Sequence, residues 1–535
     1  MPPPSAATEC APHVRYTPSQ QSIATSWRSA RSVYFLAIFI VLAAGALSAA
    51  AFGFLTVDSW NYLHLAQSIR DGNGCTVDGS YFAIFPCGYP LAIALTAPSN
   101  DIASLLVSSK ATNLILAFAG FWFLMKTFRN ALVPALVIIN PPSMGLYQYT
   151  WSENLFLFAF CGAAYAITRI HRGETPYRSV LALALFLVIG CSARYFFAPF
   201  AAVIFIGAWL AYGRRTAITA LPAFVASALF FVAYQKFNID MTGFGTGIPR
   251  IPAPETFGFL MVKFILQLGK EIVWFGVAAL LFLWLARKHW SWSLQSSEAI
   301  PGESDARACR LLLFSGIGFL LLAFYLRTRT QYDLYSPRTV SYGLMFVAAA
   351  CIGLMTRAKA RSYPALPVAV YGVFTLLVAQ DLLLPFQMKD SWTTGYVSPP
   401  HALTRYHSEG TDADVIVTLR LPDVAPTVDG FASLYYPKGK TVLGIESAPY
   451  GNPDTISDLK ARIASRHAGS CVVDFTPFQT RDDLQGYVDQ TFPVEFRFAS
   501  LVRAPGTIER PDFDPSVKDY LLRIFQPGQY VPCSA

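Results

Sequence analysis

The stretch YFLAIFIVLAAGALSAAAFGFLTVDSWNYLHLAQSIRDGNG, residues 34–74, decides the fold. Residues 34–55 carry no charge, and roughly 17–25 apolar residues suffice to cross a bilayer as a helix. Asp58 follows at once. Behind it Leu55, Tyr62, Leu65, Ala66 and Ile69 recur at helical spacing, which predicts a helix on the membrane surface with Asp58 at its start. A carboxylate held there can act as a base toward substrates kept in lipid, or it can simply cap the helix.

Working outward, the same apolar texture continues to residue 385. Of 535 residues, 54% are apolar, 15% aromatic and only 14% charged, against roughly 25% charged in a soluble domain. Apolar runs lie near 34–55, 103–127, 131–147, 154–170, 178–195, 196–212, 216–235, 264–286, 310–326, 339–356 and 363–384. They predict about eleven spans, with Arg194 and Pro199 marking the break between the fifth and the sixth. The run 88–97 is too short to cross and is expected at the interface. The expectation is a polytopic α-helical membrane protein.

Short-loop Lys and Arg set the orientation. With the N-terminus inside, every second loop is basic: Arg28 and Arg31, Lys126 and Arg129, Arg169 and Arg172, Arg214 and Arg215, Arg287 and Lys288, then Arg357, Lys359 and Arg361. These loops account for much of the net charge of +8, which therefore calls for no nucleic acid. Residues 1–33, Pro- and Ser-rich, read as a disordered cytoplasmic tail. They are expected to precede a retained signal anchor.

The outer segments include a long first loop, 56–102, and a Gly/Pro-rich one at 236–263. Residues 386–535 form an outer tail in which strand-like runs (414–421, 440–445, 469–475, 494–504) alternate with helix-like ones (455–467, 480–492). That alternation predicts a small α/β domain, without a dinucleotide or phosphate-loop motif. Cys75 and Cys87 share the first outer loop, and Cys471 and Cys533 share the tail. Two disulfides are expected there, against a chance placement of four outer thiols.

Four stretches carry a resemblance. LTVDSWNY puts an acid at the head of the first outer loop and Tyr62 four residues on. FPCGYP, with Pro86, Gly88, Tyr89 and Pro90, follows it. NPPSMGLYQYTWSENLFLF leads through Ser152 and Glu153 into a span, and QYDLYSPRTVSYGLMF places Arg338 just before another. Together they resemble the GT-C superfamily of membrane glycosyltransferases, which includes protein O-mannosyltransferases, lipid A aminoarabinose transferases and bacterial family 39-like enzymes. The resemblance covers about residues 34–345. It implies a GT-C fold and an inverting transfer of sugar from a polyprenyl-phosphate carrier to an envelope glycan, lipid or protein acceptor on the outer side of a bacterial inner membrane. It makes the carboxylates of Asp58 and Glu153 catalytic, with Asp58 as the base. Arg338 becomes the first ligand of the donor phosphate, with Arg194, Arg327 and Arg329 behind it. Tyr62, Tyr89 and Tyr335 become candidates for the substrate pocket.

Each has a plainer reading. Glu153 can cap its span, Arg194 and Arg338 can snorkel to the interface, and Arg327 and Arg329 can be solvated. His64 reads as interfacial packing. Many relatives carry two adjacent acids where this chain has Asp58-Ser59, and Cys87 replaces a common proline. The first departure leaves a divalent cation open, although no His, Cys and carboxylate cluster has metal-site spacing. A transporter or flippase for lipid-linked sugars is the alternative, disfavoured because no two-fold hydropathy symmetry is visible. A silent envelope-assembly subunit is the third reading.

Overall fold

The computed structural model describes residues 57–77, 80–128, 132–138, 146–147, 149–247, 255–272, 303–330, 335, 337–359, 415–419, 441–445, 471–475, 480–482, 484 and 521–532. The predicted tail 1–33, the span 34–55 and the span 363–384 lie outside these residues.

The described chain is mostly helical. Helix α1 (Val57–Arg70) leads into a two-residue hairpin, β1 (Thr76–Val77) with β2 (Ser80–Tyr81), and then α2 (Gly88–Thr96). The bundle follows: α3 (Ile102–Thr127), α4 (Leu132–Ile138), α5 (Glu153–His171), α6 (Pro176–Ala193), α7 (Phe197–Tyr212) and α8 (Arg214–Thr242). A helix over 257–272, α9, precedes α10 (Glu303–Arg329) and α11 (Pro337–Lys359).

Four helices among the described residues have membrane-spanning length and apolarity: Ser104–Thr127, Pro176–Ala193, Arg214–Thr242 and Asp305–Arg329. Their apolar surface faces both ways. Leu181, Leu185, Leu229, Val232 and Leu321 are exposed, while Phe121, Leu183, Leu187 and Leu311 are buried. Exposed leucines along both sides of a bundle fit a lipid surround, in which burial is not needed to remove apolar groups from water.

Local chemistry sets the helix ends. Asp101 caps α3, its carboxylate accepting from Ser104 N at 2.8 Å. Pro176 opens α6 at a position whose N–H has no helical partner. The α6–α7 break falls at Arg194, in extended conformation (φ −150°, ψ 138°), with Pro199 in the first turn of α7. Connections of one to a few residues at 172–175, 194–196 and 213 make successive helices antiparallel. The helix ends therefore collect at two ends of the bundle. One holds Glu153, Arg194 and Asn238. The other holds His171, whose Nδ1 is 3.1 Å from Thr216 Oγ1, and Arg172, which donates to Thr127 O at 3.1 Å.

Around α1 and α2 a buried cluster forms from Tyr62, Leu63, Ala66, Tyr89, Ile93, Leu105, Leu155 and Ala193. The predicted helical stripe of α1 is thus its packed face. Four short strands of the tail make one sheet, ordered β4 (Thr441–Ile445), β3 (Val415–Leu419), β5 (Cys471–Asp474) and β6 (Tyr530–Pro532). The first three run parallel and β6 is antiparallel to β5. Val472 and Tyr530 pack against the α1–α2 cluster. The strand-like run 494–504 and the helix-like run 455–467 lie outside the described residues.

Candidate active site

At one end of the bundle, Glu153 opens α5 and is almost fully buried, at 2% exposure. Its Oε1 accepts from the guanidinium of Arg194 at the α6–α7 break. The two residues are 41 positions apart, and the pair joins the start of one helix to the end of the next. Both line a small cavity of about 20 Å³. Phe156, Phe196, Phe319 and Tyr342 form its aromatic walls, and Ala323 and Thr339 complete it. Its lining is mostly apolar, with the Glu153–Arg194 pair as the charged part.

The segment that delivers Glu153 is held at almost every residue. Asn113 Nδ2 donates to Tyr149 O at 2.8 Å. Thr150 Oγ1 shares a hydrogen bond with Ser109 (2.7 Å) and accepts from Lys110 Nζ (3.2 Å). Tyr62 donates to Ser152 Oγ at 2.9 Å, so Ser152, although at the helix cap position, makes no side-chain cap bond. Asn154 Nδ2 reaches back to Leu146 O at 3.2 Å. Satisfied buried bonds of this kind fix one geometry.

Tyr62 and Tyr89, expected in the substrate pocket, are buried beside this segment with their hydroxyls bonded to protein partners. Tyr62 is 2% exposed and Tyr89 is 0% exposed. Tyr89 donates to Asn113 Oδ1 at 2.7 Å, and its ring meets that of Tyr62 edge-on at 5.3 Å. Burial first, then the neighbouring Tyr62 and the Glu153 carboxylate, push the Tyr89 phenol well above its ordinary pKa, which keeps it a neutral donor.

Asp58 lies in the first turn of α1, one turn before Tyr62. The helix that carries Asp58 is thus bonded to the start of α5 through Tyr62 and Ser152. His64 sits further along α1 beside an open polar pocket of about 460 Å³ that Gln67, Ser68 and Asp71 also line.

FPCGYP has a physical explanation. Gly88 begins α2 where a Cβ would sit 2.6 Å from the carbonyl oxygen of Ser192 and 2.4 Å from its Oγ. Only glycine permits that approach, which sets α2 against the end of α6, two residues before Arg194. Cys75 and Cys87 are joined by a disulfide that closes the loop between α1 and α2, with Cα atoms 6.2 Å apart. The side chain of Cys471 and all of Cys533 lie outside the described residues.

The remaining arginines separate. Phe319, Ala323 and Arg327 follow one another at single-turn intervals on α10, which places Arg327 a turn beyond the pocket wall. It is buried and paired with Glu255, and it donates to Thr330 O at 3.2 Å. Arg329, on another face, lies exposed over the Tyr325 ring at 5.5 Å. Tyr335 packs on Phe264 and Phe324, with ring centres 5.0 and 6.1 Å away. Its pKa is pushed up to about 12 by burial and the charge of Glu255, against the lowering effect of Arg327. Arg338 stands in the first turn of α11, next to the pocket residue Thr339, and its side chain lies outside the described residues. Sequence reading passed over Asn113, Lys110 and Asn238. Polar residues inside apolar runs were the signal available for them.

Among the described residues, no three His, Cys, Asp or Glu side chains gather as a metal site. No protein-family model and no curated protein matches the chain. Solved structures share its course at low identity. One is ArnT from Cupriavidus metallidurans bound to undecaprenyl phosphate, with 10% identity over 83% of this chain and 93% of that one, at a TM-score of 0.48. Another is the Archaeoglobus fulgidus oligosaccharyltransferase tethered with an acceptor peptide (10% identity, 86% and 68% covered, TM-score 0.39). The same enzyme in complex with Zn and sulfate gives 12% identity, 81% and 68% covered, and a TM-score of 0.41. In its motifs this chain resembles the GT-C membrane glycosyltransferases, and in its course it is similar to these three structures.

Proposed function

We propose that the chain is an inverting membrane glycosyltransferase that moves a sugar from a polyprenyl-phosphate carrier to an envelope glycan, lipid or protein. The transfer takes place at the outer face of a bacterial inner membrane. The observation that carries the reading is the Glu153–Arg194 pair set in an aromatic-walled pocket at the helix ends, one short hydrogen-bonded link from α1, which Asp58 begins.

Asp58 takes the proton from the acceptor hydroxyl. The acceptor oxygen attacks the anomeric carbon from the face opposite the phosphate. The bond from that carbon to the phosphate oxygen breaks with its electron pair, inverting the centre and releasing the polyprenyl phosphate. Charge grows on that phosphate as the bond breaks, and a fixed guanidinium stabilises it most in the transition state. Arg194 supplies that charge in the pocket, held in direction by Glu153, and Arg338 supplies it from the start of α11.

The test is purified protein supplied with undecaprenyl-phosphate-linked sugars and envelope acceptors, following release of undecaprenyl phosphate. Release that depends on acceptor and disappears in Asp58→Asn is expected. Export of an unreacted lipid-linked sugar by reconstituted protein, with no release, would make it a transporter instead.

A further inference from the structure

Asn238, near the end of α8, is fully buried and belongs to no part of the pocket. Its amide uses both donors and its oxygen. Oδ1 accepts from Tyr81 at 2.8 Å, and Nδ2 donates to Tyr195 Oη at 2.9 Å and to Gly245 O at 2.8 Å. Tyr195 in turn donates to Ala83 O at 2.7 Å. The two carbonyls can only accept, so the direction of every bond is fixed and the amide can sit only one way round. Gly247 (φ +73°) closes the assembly. A Cβ there would lie 2.8 Å from the carbonyl carbon of Ala83. One side chain thus ties the first outer loop, the end of α8, the turn after it and the α6–α7 break.

Tyr195 is the residue after Arg194. We propose that Asn238 is a positioning residue for the Arg194–Glu153 pair: by holding Tyr195 it fixes the α6–α7 break and so the direction in which Arg194 reaches Glu153. The inference rests on the proposed role of that pair, and its geometric half can be tested without any transfer assay.

Glu153→Cys with Arg194→Cys gives a pair whose oxidative cross-linking rate in the full-length membrane protein reads the approach of the break to α5. Asn238→Leu keeps the volume and removes the three bonds. Tyr195→Phe keeps the ring and removes the link, and it serves if Asn238→Leu fails to fold. Either change is expected to slow cross-linking about tenfold, as for groups coupled through one network. An unchanged rate in the folded variants overturns the proposal, whatever the protein transfers. Where transfer is measured, Tyr195→Phe should lower kcat about tenfold in the native background and not at all on top of Arg194→Ala. Equal losses in both backgrounds show a general structural role and overturn it too. Absence of transfer in the unaltered protein defeats the proposed function and leaves the cross-linking result to decide this one.

Discussion

At the scale of single residues, Arg194 shows what a sequence can and cannot say. A charge at the end of an apolar run needs a partner or a cavity, because lipid exposure at the centre of a span costs roughly 2.5–3.5 kcal/mol. That need was legible. Glu153 as the partner was not, since 41 residues separate the two and only the fold of α5 against α6 brings them together. Removing one member of a buried pair leaves the other charge uncompensated, at a cost of roughly 3–5 kcal/mol. Arg194→Ala is therefore expected to lower thermal stability and transfer together. Arg194→Lys should keep most of the stability but recover only part of kcat, because an ammonium offers no paired planar donors. Equal kcat in the Lys variant would assign Arg194 to the fold alone. Asp58 makes a contrasting case. Losing a general base removes roughly 10²–10⁴ in rate, while losing a helix cap costs about 1 kcal/mol. Asp58→Asn should thus melt within a few degrees of the unaltered protein and transfer almost nothing. Normal turnover in that variant would remove Asp58 from the chemistry.

At the scale of elements, the apolar runs located the helices closely where these are described. The run 154–170 became Glu153–His171, and 178–195 became Pro176–Ala193. The run 216–235 fell short of Arg214–Thr242. The polar end of that helix, with Gln235, Lys236, Asn238 and Asp240, has no apolar period to announce it and is helical by continuation to Gly243. The small residue in FPCGYP was visible as a motif, but its reason is an approach between α2 and α6 that no local pattern encodes. Gly88→Ala places a methyl group on the Ser192 carbonyl, and overpacking of this kind costs roughly 1–3 kcal/mol. The expected result is a lower melting temperature with reduced transfer, since α2 would be pushed from the end of α6 beside Arg194. An unchanged melting curve would mean that α2 and α6 do not meet there. The Cys75–Cys87 bond closes a loop of 12 residues. By chain entropy it is worth about 3 kcal/mol to that loop, so mass mapping should find the pair oxidised and reduction should open the loop to protease before the bundle.

At the scale of the whole molecule, the two ends of the bundle differ in kind. Arg169, Arg172, Arg214 and Arg215 gather at the end opposite Glu153, and short basic segments stay on the cytoplasmic side. The orientation proposed for this chain puts the pocket, α1 and the packed strands of the tail outside. Helix α8 gives a direct test of that orientation. Its 29 residues span roughly 43 Å at 1.5 Å per residue, longer than the roughly 30 Å hydrocarbon core, so its ends stand in water. Asp240 near one end is exposed, as is Tyr177 at the start of α6 on the opposite side. With Cys10, Cys351, Cys471 and Cys533 replaced by serine, Asp240→Cys in intact cells should react with a membrane-impermeant maleimide. Tyr177→Cys should react only after the membrane is opened. The remaining described thiols, Cys161, Cys191 and Cys309, are buried and should stay silent. The reverse pattern would put the pocket in the cytoplasm, where a donor presented at the outer leaflet cannot reach Arg194, and the transfer proposed for this protein would fall with it.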